Sequence, residues 1–197
     1  MYDSVECFWV DPTGKGIRTF RRYSRDEDLD CPDKPGEYSF HSASVEIGDD
    51  FDMIWVDESD GSRFVASLDL EEFGDDPRWP THCSCGYEFR VDDEWQVNQE
   101  PVYEAADGRR AWTSPAHHRK PTPGAMFDTF WRPQLRKADG LAISVVCPNG
   151  AVWCIDDQAT GGGYWTREGT APCLTVSPSI VAGDYHGHLQ NGVLTAG

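Results

Sequence analysis

Long hydrophobic runs are missing from this sequence of 197 residues. No apolar stretch approaches the roughly 18–20 residues that a bilayer-spanning helix needs. The first residues, MYDSVECFWVDPTG, also lack the basic, then apolar, then small-residue order of a secretory signal. We therefore expect a cytosolic protein without a membrane segment.

Basic residues are scarce as well. The chain has 17 Lys and Arg against 34 Asp and Glu, which gives a net charge of −17. Because affinity for a phosphate backbone depends on clustered Lys and Arg, this balance argues against direct nucleic-acid binding. Residues 26–76 hold 18 acidic side chains against two basic ones, Lys34 and Arg63, so this acidic segment carries −16 of the total.

The acidic segment has three interpretations: a solvated face, a patch that attracts cations, or a mimic of nucleic-acid phosphate that occupies a nucleic-acid-binding protein. Two apolar runs inside it, residues 51–56 and 64–68, have the composition of strands. The acidic residues 57–63 between them predict a hairpin with a charged loop.

Uninterrupted stretches with helical periodicity are also rare, because 13 Pro and 19 Gly recur along the chain. The hydrophobic content of 39%, with 8 Trp, is still high enough for a packed core. We therefore predict a single, mainly β domain over residues 1–197, a compact sheet or sandwich with several hairpins and long loops. The acidic segment would precede a β-hairpin core at residues 78–197.

Turn signals place several hairpins along this chain. Asp11-Pro12-Thr13-Gly14 separates strand-like residues 5–10 from residues 17–23 and predicts an opening hairpin. Residues 94–98 and 101–104 read as strand leading to a turn at Asp107-Gly108. Residues 114–124 read as a loop, residues 125–131 as a short helical turn, and residues 161–163 as a glycine-rich turn without the features of a P-loop.

Two Asn-Gly pairs predict tight type I′ turns between β-rich arms. With a turn at Asn149-Gly150, Cys147 would lie opposite Val152 and Cys154 opposite Val145, which puts both thiols on one face. The second turn, Asn191-Gly192, would pair Gln190 with Val193 and His188 with Thr195.

The seven cysteines favour metal ligation, core packing or reactivity over a disulfide framework, because the number is odd and a reducing compartment is expected. Cys83-Ser84-Cys85-Gly86 is the sharpest motif, since two thiols on a tight turn can converge on one ion. Cys31 and His41, which flank a Pro- and Gly-containing turn in the acidic segment, are the predicted partners. Sets that use His82 or another cysteine, and a chain without metal, remain alternatives.

Zinc is the expected ion, because mixed thiolate and imidazole ligands suit it. Cys7, Cys147, Cys154 and Cys173 are interpreted as buried, inert core residues. A second metal hypothesis concerns His186 and His188, which share one face of a predicted strand and could use Asp184 or Asp156 as a third ligand. Its alternative is a pair of half-exposed histidines with no ligand.

Several segments together resemble a group of proteins encoded by tailed bacteriophages, many of actinobacterial hosts: RWPTHCSCGYEF, DEWQV, PGAM, CPNG and GDYHG. The resemblance covers most of residues 78–197 and less of the acidic segment. It implies a phage origin and a metal-bound C-x-C-G-Y motif, and it carries no activity. It also implies an aromatic residue at the position of His188, which argues against the two-histidine site.

From these observations we expect a phage-encoded, zinc-stabilised protein that is not an enzyme and engages a host or phage protein in the host cytoplasm through its acidic surface. A virion structural component is the first alternative. A metal-dependent enzyme that uses His186 and His188 is the second.

Overall fold

The computed structural model describes residues 2–24, 31–33, 40–56, 63–66, 77–113, 121–158 and 165–197. These residues contain strands and one short 3-10 helix, and no α-helix. The strands are β1 (Val5–Glu6), β2 (Phe8–Tyr23), β3 (Ser42–Val56), β4 (Arg63–Ala66), β5 (Glu94–Ala105), β6 (Arg110–Ala111), β7 (Ala125–Asp128), β8 (Ile143–Val146), β9 (Val152–Cys154), β10 (Thr166–Thr170), β11 (Cys173–Ala182), β12 (Tyr185–Gln190) and β13 (Val193–Ala196).

In this described part of the chain the strands form two sheets, of five and eight strands, so the prediction of a mainly β protein is confirmed. The chain divides into two compact units. Unit 1 comprises Met1–Thr13, Trp55–Val65 and Val102–Gly197, and unit 2 comprises Gly14–Ile54 and Ala66–Pro101. The single domain over residues 1–197 stays a prediction.

The five-stranded sheet of unit 1 has the order β1-β13-β12-β11-β10, and all its neighbours are antiparallel. Burial alternates strictly along β12, where Tyr185, Gly187 and Leu189 point inward. Period-two alternation is the mark of a sheet with one face on the core and one in solvent. This alternation fixes which face of β12 each side chain occupies.

β7 and β8 contribute buried side chains on both of their faces. Met126, Ile143 and Val145 contribute to one core cluster with residues of β9, β11, β12 and β13. Phe127 and Val146 contribute to a second cluster. Because neighbouring residues of a strand point to opposite sides, the near-continuous apolar sequences of these strands supply both clusters.

Unit 2 is built around the antiparallel pair of β2 and β3, which is in register from Lys15 opposite Asp52 to Tyr23 opposite Ser42, with an irregularity between Gly16 and Arg18. Ile17 and Phe20 are fully buried. β4 neighbours β3 in its sheet, as the predicted hairpin requires, and the acidic loop 57–62 lies outside the described residues.

The hairpin at Asn191-Gly192 is confirmed. Gln190 lies opposite Val193 and His188 opposite Thr195. Asn191 has φ +47° and Gly192 has φ +78°, so both central residues have the positive φ that a type I′ turn demands.

The register predicted for the turn at Asn149-Gly150 is wrong by one residue. Val146 lies opposite Val152, and the Gly150 N–H donates to the Cys147 carbonyl at 2.8 Å. Only Gly150 of this pair has positive φ, +85°. Pro148 explains the difference, because its fixed φ suits the second position of a type I turn over residues 147–150. Gly150 then adopts the positive φ that closes a three-residue loop.

A one-residue change of register moves side chains to the other face of a sheet. Cys154 therefore lies opposite Ser144, while Cys147 joins Val145 and Trp153 in the first core cluster. The two thiols do not share a face, contrary to the expectation from the sequence.

Two other local predictions are also wrong. Residues 5–23 do not form a hairpin: β1 pairs with β13, and β2 continues through Asp11-Pro12-Thr13-Gly14. Pro12 lies between the segment paired with β7 and the segment paired with β3, and Gly14 adopts φ +74°. Pro is tolerated where no ladder N–H is needed.

Residues 125–131 begin with the strand β7 and not with a helical turn. β7 pairs in parallel with Phe8 and Trp9 and antiparallel with β8, so tertiary pairing outweighs any local helical preference. The 3-10 helix spans Pro133–Leu135 instead. The strand and turn predicted for residues 94–108 are confirmed by β5, β6 and the turn between them. Residues 114–120 and 161–163 lie outside the described residues.

Among the residues that the structure describes, no helix is long and apolar enough to cross a membrane.

Candidate metal centre

The Cys83–Gly86 segment of unit 2 folds as a tight turn. The Gly86 N–H donates to the Cys83 carbonyl at 2.9 Å, and the Cys83 N–H donates to the Tyr87 carbonyl at 2.9 Å. Gly86 has φ +91°, a conformation that side-chain-bearing residues rarely adopt. The glycine after the second cysteine therefore lets the backbone fold back while both thiols stay on the turn.

Cys31 and His41 lie next to this turn although they are far from it in sequence. His41 directly precedes β3, and its carbonyl accepts a hydrogen bond from the Ser24 N–H at 2.9 Å. Cys31 and His41 are both buried, with 1% and 6% of their surface exposed. Cys83 is buried too, and Cys85 is half-buried.

The ligand atoms of Cys31, His41, Cys83 and Cys85 all lie within 4.8 Å of one another, so this cluster could hold a metal ion. The Cys31 and Cys83 Sγ atoms are 3.7 Å apart, and His41 Nδ1 is 3.1 Å from Cys85 Sγ. In a tetrahedral site with Zn–S bonds of about 2.3 Å, two sulfurs lie ~3.8 Å apart. All seven cysteines are free, so no disulfide accounts for the approach of these thiols.

The thiols of Cys31 and Cys83 differ in their electrostatic surroundings. Burial raises the pKa of the Cys31 thiol. For Cys83, burial acts in the same direction, but hydrogen bonds with backbone groups of Cys85 and Ser42 and with the side chains of His41 and Cys31 lower its pKa overall. Stabilisation of a thiolate is what metal ligation requires, because the thiolate is the form that binds a metal.

An apolar shell surrounds the cluster. Cys31 and Cys83 pack with Phe89, and the partly buried Ala43 and Tyr87 pack against them. The Tyr87 ring stacks on the His41 imidazole, with centroids 4.2 Å apart and planes 6° apart. The Tyr87 hydroxyl donates to Asp93 at 3.3 Å, and the Arg90 N–H donates to the same carboxylate oxygen at 2.8 Å.

Tyr87 contacts His41, and Asp93 accepts a hydrogen bond from Tyr87, but neither was among the site residues predicted from the sequence. The signal was present, since Tyr87 directly follows the glycine of the motif. Its stacking on His41 could not be inferred, because it depends on a residue 46 positions earlier in the chain.

His82, the alternative ligand, is exposed and lies outside the cluster. Its Nδ1 is 2.9 Å from the Thr81 hydroxyl. His82 forms a β-bridge with Glu88 across the turn, which places it beside the turn and away from the thiols.

The two histidines of the second metal hypothesis lie on the solvent face of β12. His186 Nε2 is 3.2 Å from the Ser179 hydroxyl, and both His186 and His188 are exposed. In the described residues, the ligand grouping of three or more members is the one around Cys83, and it does not include these histidines.

The carboxylates suggested for that second site have other partners. Asp184 accepts hydrogen bonds from Tyr2 and Asn149, at 2.7 and 2.8 Å. Asp156 is buried, where it accepts from Arg167 Nε and from the Ile143 N–H, both at 2.8 Å. Both carboxylates therefore have structural contacts in unit 1.

The remaining cysteines follow the buried, inert interpretation only in part. Cys147 is fully buried, and burial raises its pKa to about 12. Cys7 is half-buried against the same core cluster, and burial raises its pKa to about 12 as well. Cys154 is half-buried, and Cys173 is exposed, which contradicts the prediction for Cys173.

Comparison of the chain with protein-family models, with curated proteins and with solved structures gives no match. The chemical interpretation therefore rests on the geometry of the four-residue cluster.

Proposed function

We propose that Cys31, His41, Cys83 and Cys85 bind one structural zinc ion. Convergence of three thiols and one imidazole within 4.8 Å is the observation that carries this proposal. Four protein ligands complete the coordination of tetrahedral zinc and leave no position for a substrate or a reactive water. The zinc therefore stabilises the fold and takes no part in a reaction.

The zinc acts as a clip between distant parts of the chain. Cys31 and His41 belong to the acidic segment, whereas Cys83 and Cys85 lie after it. Ordering a segment with a net charge of −16 costs conformational entropy and brings like charges together. Metal coordination supplies free energy that holds Cys31 and His41, both in the first part of this segment, to the Cys83–Gly86 turn.

The function that fits this arrangement is non-enzymatic protein binding. A segment with this much negative charge attracts a basic partner over long distances and speeds its association. Following the resemblance to phage proteins, we propose an accessory protein that acts on a host or phage protein in the host cytoplasm. A virion component would instead occur in purified particles at a fixed ratio to the capsid protein.

Elemental analysis of protein purified without added metal tests the zinc site. We expect close to one zinc ion per chain, and Cys83→Ser should lower both the zinc content and the melting temperature. Cys154→Ser is the matched control, because Cys154 is half-buried but lies outside the cluster. Zinc binding by Cys83→Ser at the parental level would show that the ligand assignment is wrong.

Partner recovery tests the binding function. Tagged protein should retain one host or phage protein from infected-cell extract and should be absent from purified particles. Its presence in particles at a fixed ratio would favour the virion alternative.

A further inference from the structure

The thiols of the metal cluster differ in their access to solvent. Cys85 is half-buried, whereas Cys31 and Cys83 have only 1% and 4% of their surface exposed. A small oxidant therefore reaches the Cys85 sulfur first. The other two sulfurs lie within 4.8 Å of it, close enough to attack an oxidised Cys85 after a small movement.

We propose that this cluster is a redox switch, in which hydrogen peroxide oxidises Cys85, Cys31 resolves it as a disulfide, and the zinc ion is released. This inference rests on the proposed zinc site and adds a regulation to it. Loss of the ion removes the link that holds Cys31 and His41 to the Cys83–Gly86 turn.

The chemistry balances with peroxide as the oxidant. The Cys85 thiolate attacks one peroxide oxygen, the O–O bond breaks, and a sulfenic acid and hydroxide form. The Cys31 thiolate then attacks the Cys85 sulfur and displaces a second hydroxide as the S–S bond forms. Two thiolates lose two electrons in total, one peroxide gains them, and zinc leaves after losing two of its four ligands.

Cys31 is the expected resolving residue because of chain geometry. Cys83 and Cys85 are separated by one residue on a tight turn, so a bond between them would close a small, strained ring. Cys31 comes from a separate segment, and its sulfur is 3.7 Å from Cys83 and within 4.8 Å of Cys85. A Cys31–Cys85 bond closes no such small ring, because the two residues are 54 positions apart.

The test uses the full-length, zinc-loaded protein treated with hydrogen peroxide. A chromogenic chelator measures released zinc, and peptide mass spectrometry maps the cysteines. We expect close to one zinc ion released per chain, together with one Cys31–Cys85 disulfide, and recovery of zinc binding after reduction with dithiothreitol. Cys173→Ser should release zinc at the parental rate, because this exposed thiol lies outside the cluster.

A second variant, Cys85→His, keeps four ligands but removes the accessible thiol, and it should slow zinc release at least about tenfold. Oxidation of the exposed Cys173 shows that peroxide has acted on the protein. If zinc is still retained at that point, the proposed switch is wrong, while the proposed zinc site stands. Zinc release with a disulfide that excludes Cys31, or without any disulfide, would overturn it as well. Reduced protein that contains no zinc would contradict the proposed function itself, and the switch with it.

Discussion

The imidazole of His41 lies flat against the phenol ring of Tyr87, with centroids 4.2 Å apart and planes 6° apart. The Tyr87 hydroxyl donates to Asp93, whose carboxylate also accepts the Arg90 N–H. His41, a proposed zinc ligand from the acidic segment, thus stacks on a residue that follows the Cys83–Gly86 turn and is itself hydrogen-bonded. Residues that orient metal ligands commonly affect affinity by about 10–100-fold.

We predict that Tyr87→Leu weakens zinc binding by about tenfold or more, because it removes the ring that positions His41. Tyr87→Phe keeps the stacking and loses one 3.3 Å hydrogen bond, so its effect should be much smaller. Competition with a chelator of known affinity measures both variants. Equal affinities for Tyr87→Leu and the parent would show that the stacking does not position the ligand.

Replacement of Gly150 by Val should destabilise unit 1 by at least about 1 kcal/mol, because a β-branched residue resists positive φ. A Cβ at this position meets only Pro121 Cδ, at 3.8 Å, so the cost comes from the backbone and not from a clash. Urea denaturation measures the difference. A neutral result would mean that the loop tolerates another conformation.

Gly187 provides the contrasting case, because its φ is unexceptional but its space is filled. A Cβ there would clash with the Tyr185 hydroxyl oxygen and with the Thr195 carbonyl oxygen. We expect Gly187→Ala to destabilise unit 1 more than Gly150→Ala does, in the same urea experiment. The reverse order would show that backbone strain outweighs crowding in this sheet.

Stability in acid should depend on Asp139. A bidentate hydrogen bond from Arg167, at 2.6 and 2.9 Å, lowers the pKa of Asp139 below its ordinary value of 3.8. A carboxyl group with a depressed folded-state pKa stabilises the fold above its unfolded-state pKa, and this stabilisation disappears as the pH falls through the folded-state pKa.

We therefore expect Asp139→Asn to be less stable than the parent at pH 6, and the difference between the two to shrink as the pH falls below the ordinary carboxyl pKa of 3.8. Urea midpoints across this range provide the measurement. Asp184 also has a lowered pKa, although its partners are Asn149 and Tyr2. Asp184→Asn should therefore show the same direction of pH dependence. A constant difference between Asp139→Asn and the parent at every pH would exclude this origin of the effect.

The acidic segment should steer association if it is the contact surface. Neutralising Asp57, Glu58 and Asp60 together should reduce the on-rate of a recovered partner, because it removes charges that attract this partner. Added salt should reduce the parental on-rate, because exposed charges are screened beyond about 8–10 Å near physiological ionic strength. Zinc content and melting temperature should stay nearly unchanged, which separates lost steering from unfolding. Binding at the parental rate in low salt would reduce the acidic run to a solubilising face.

Some features of this protein follow from local sequence alone. The turn at Asn191-Gly192 could be predicted with its register, because both residues adopt positive φ readily and the flanking strands impose no competing geometry. The Cys83-Ser84-Cys85-Gly86 motif likewise determines its own tight turn. Cys31 and His41 could be predicted as metal ligands because they flank the Pro- and Gly-containing turn of the acidic segment, which offers a cysteine few apolar neighbours to pack against.

Other features were decided by tertiary structure. The 3.7 Å approach of Cys31 to Cys83 joins residues 52 positions apart, a relation that no local pattern encodes. Asp11-Pro12-Thr13-Gly14 has the composition of a turn but lies within β2, and residues 125–128 form a strand because partners on both sides supply their hydrogen bonds. Local sequence specifies which backbone conformations are low in energy, whereas the neighbouring strands and side chains determine which of those conformations is stable in the folded protein.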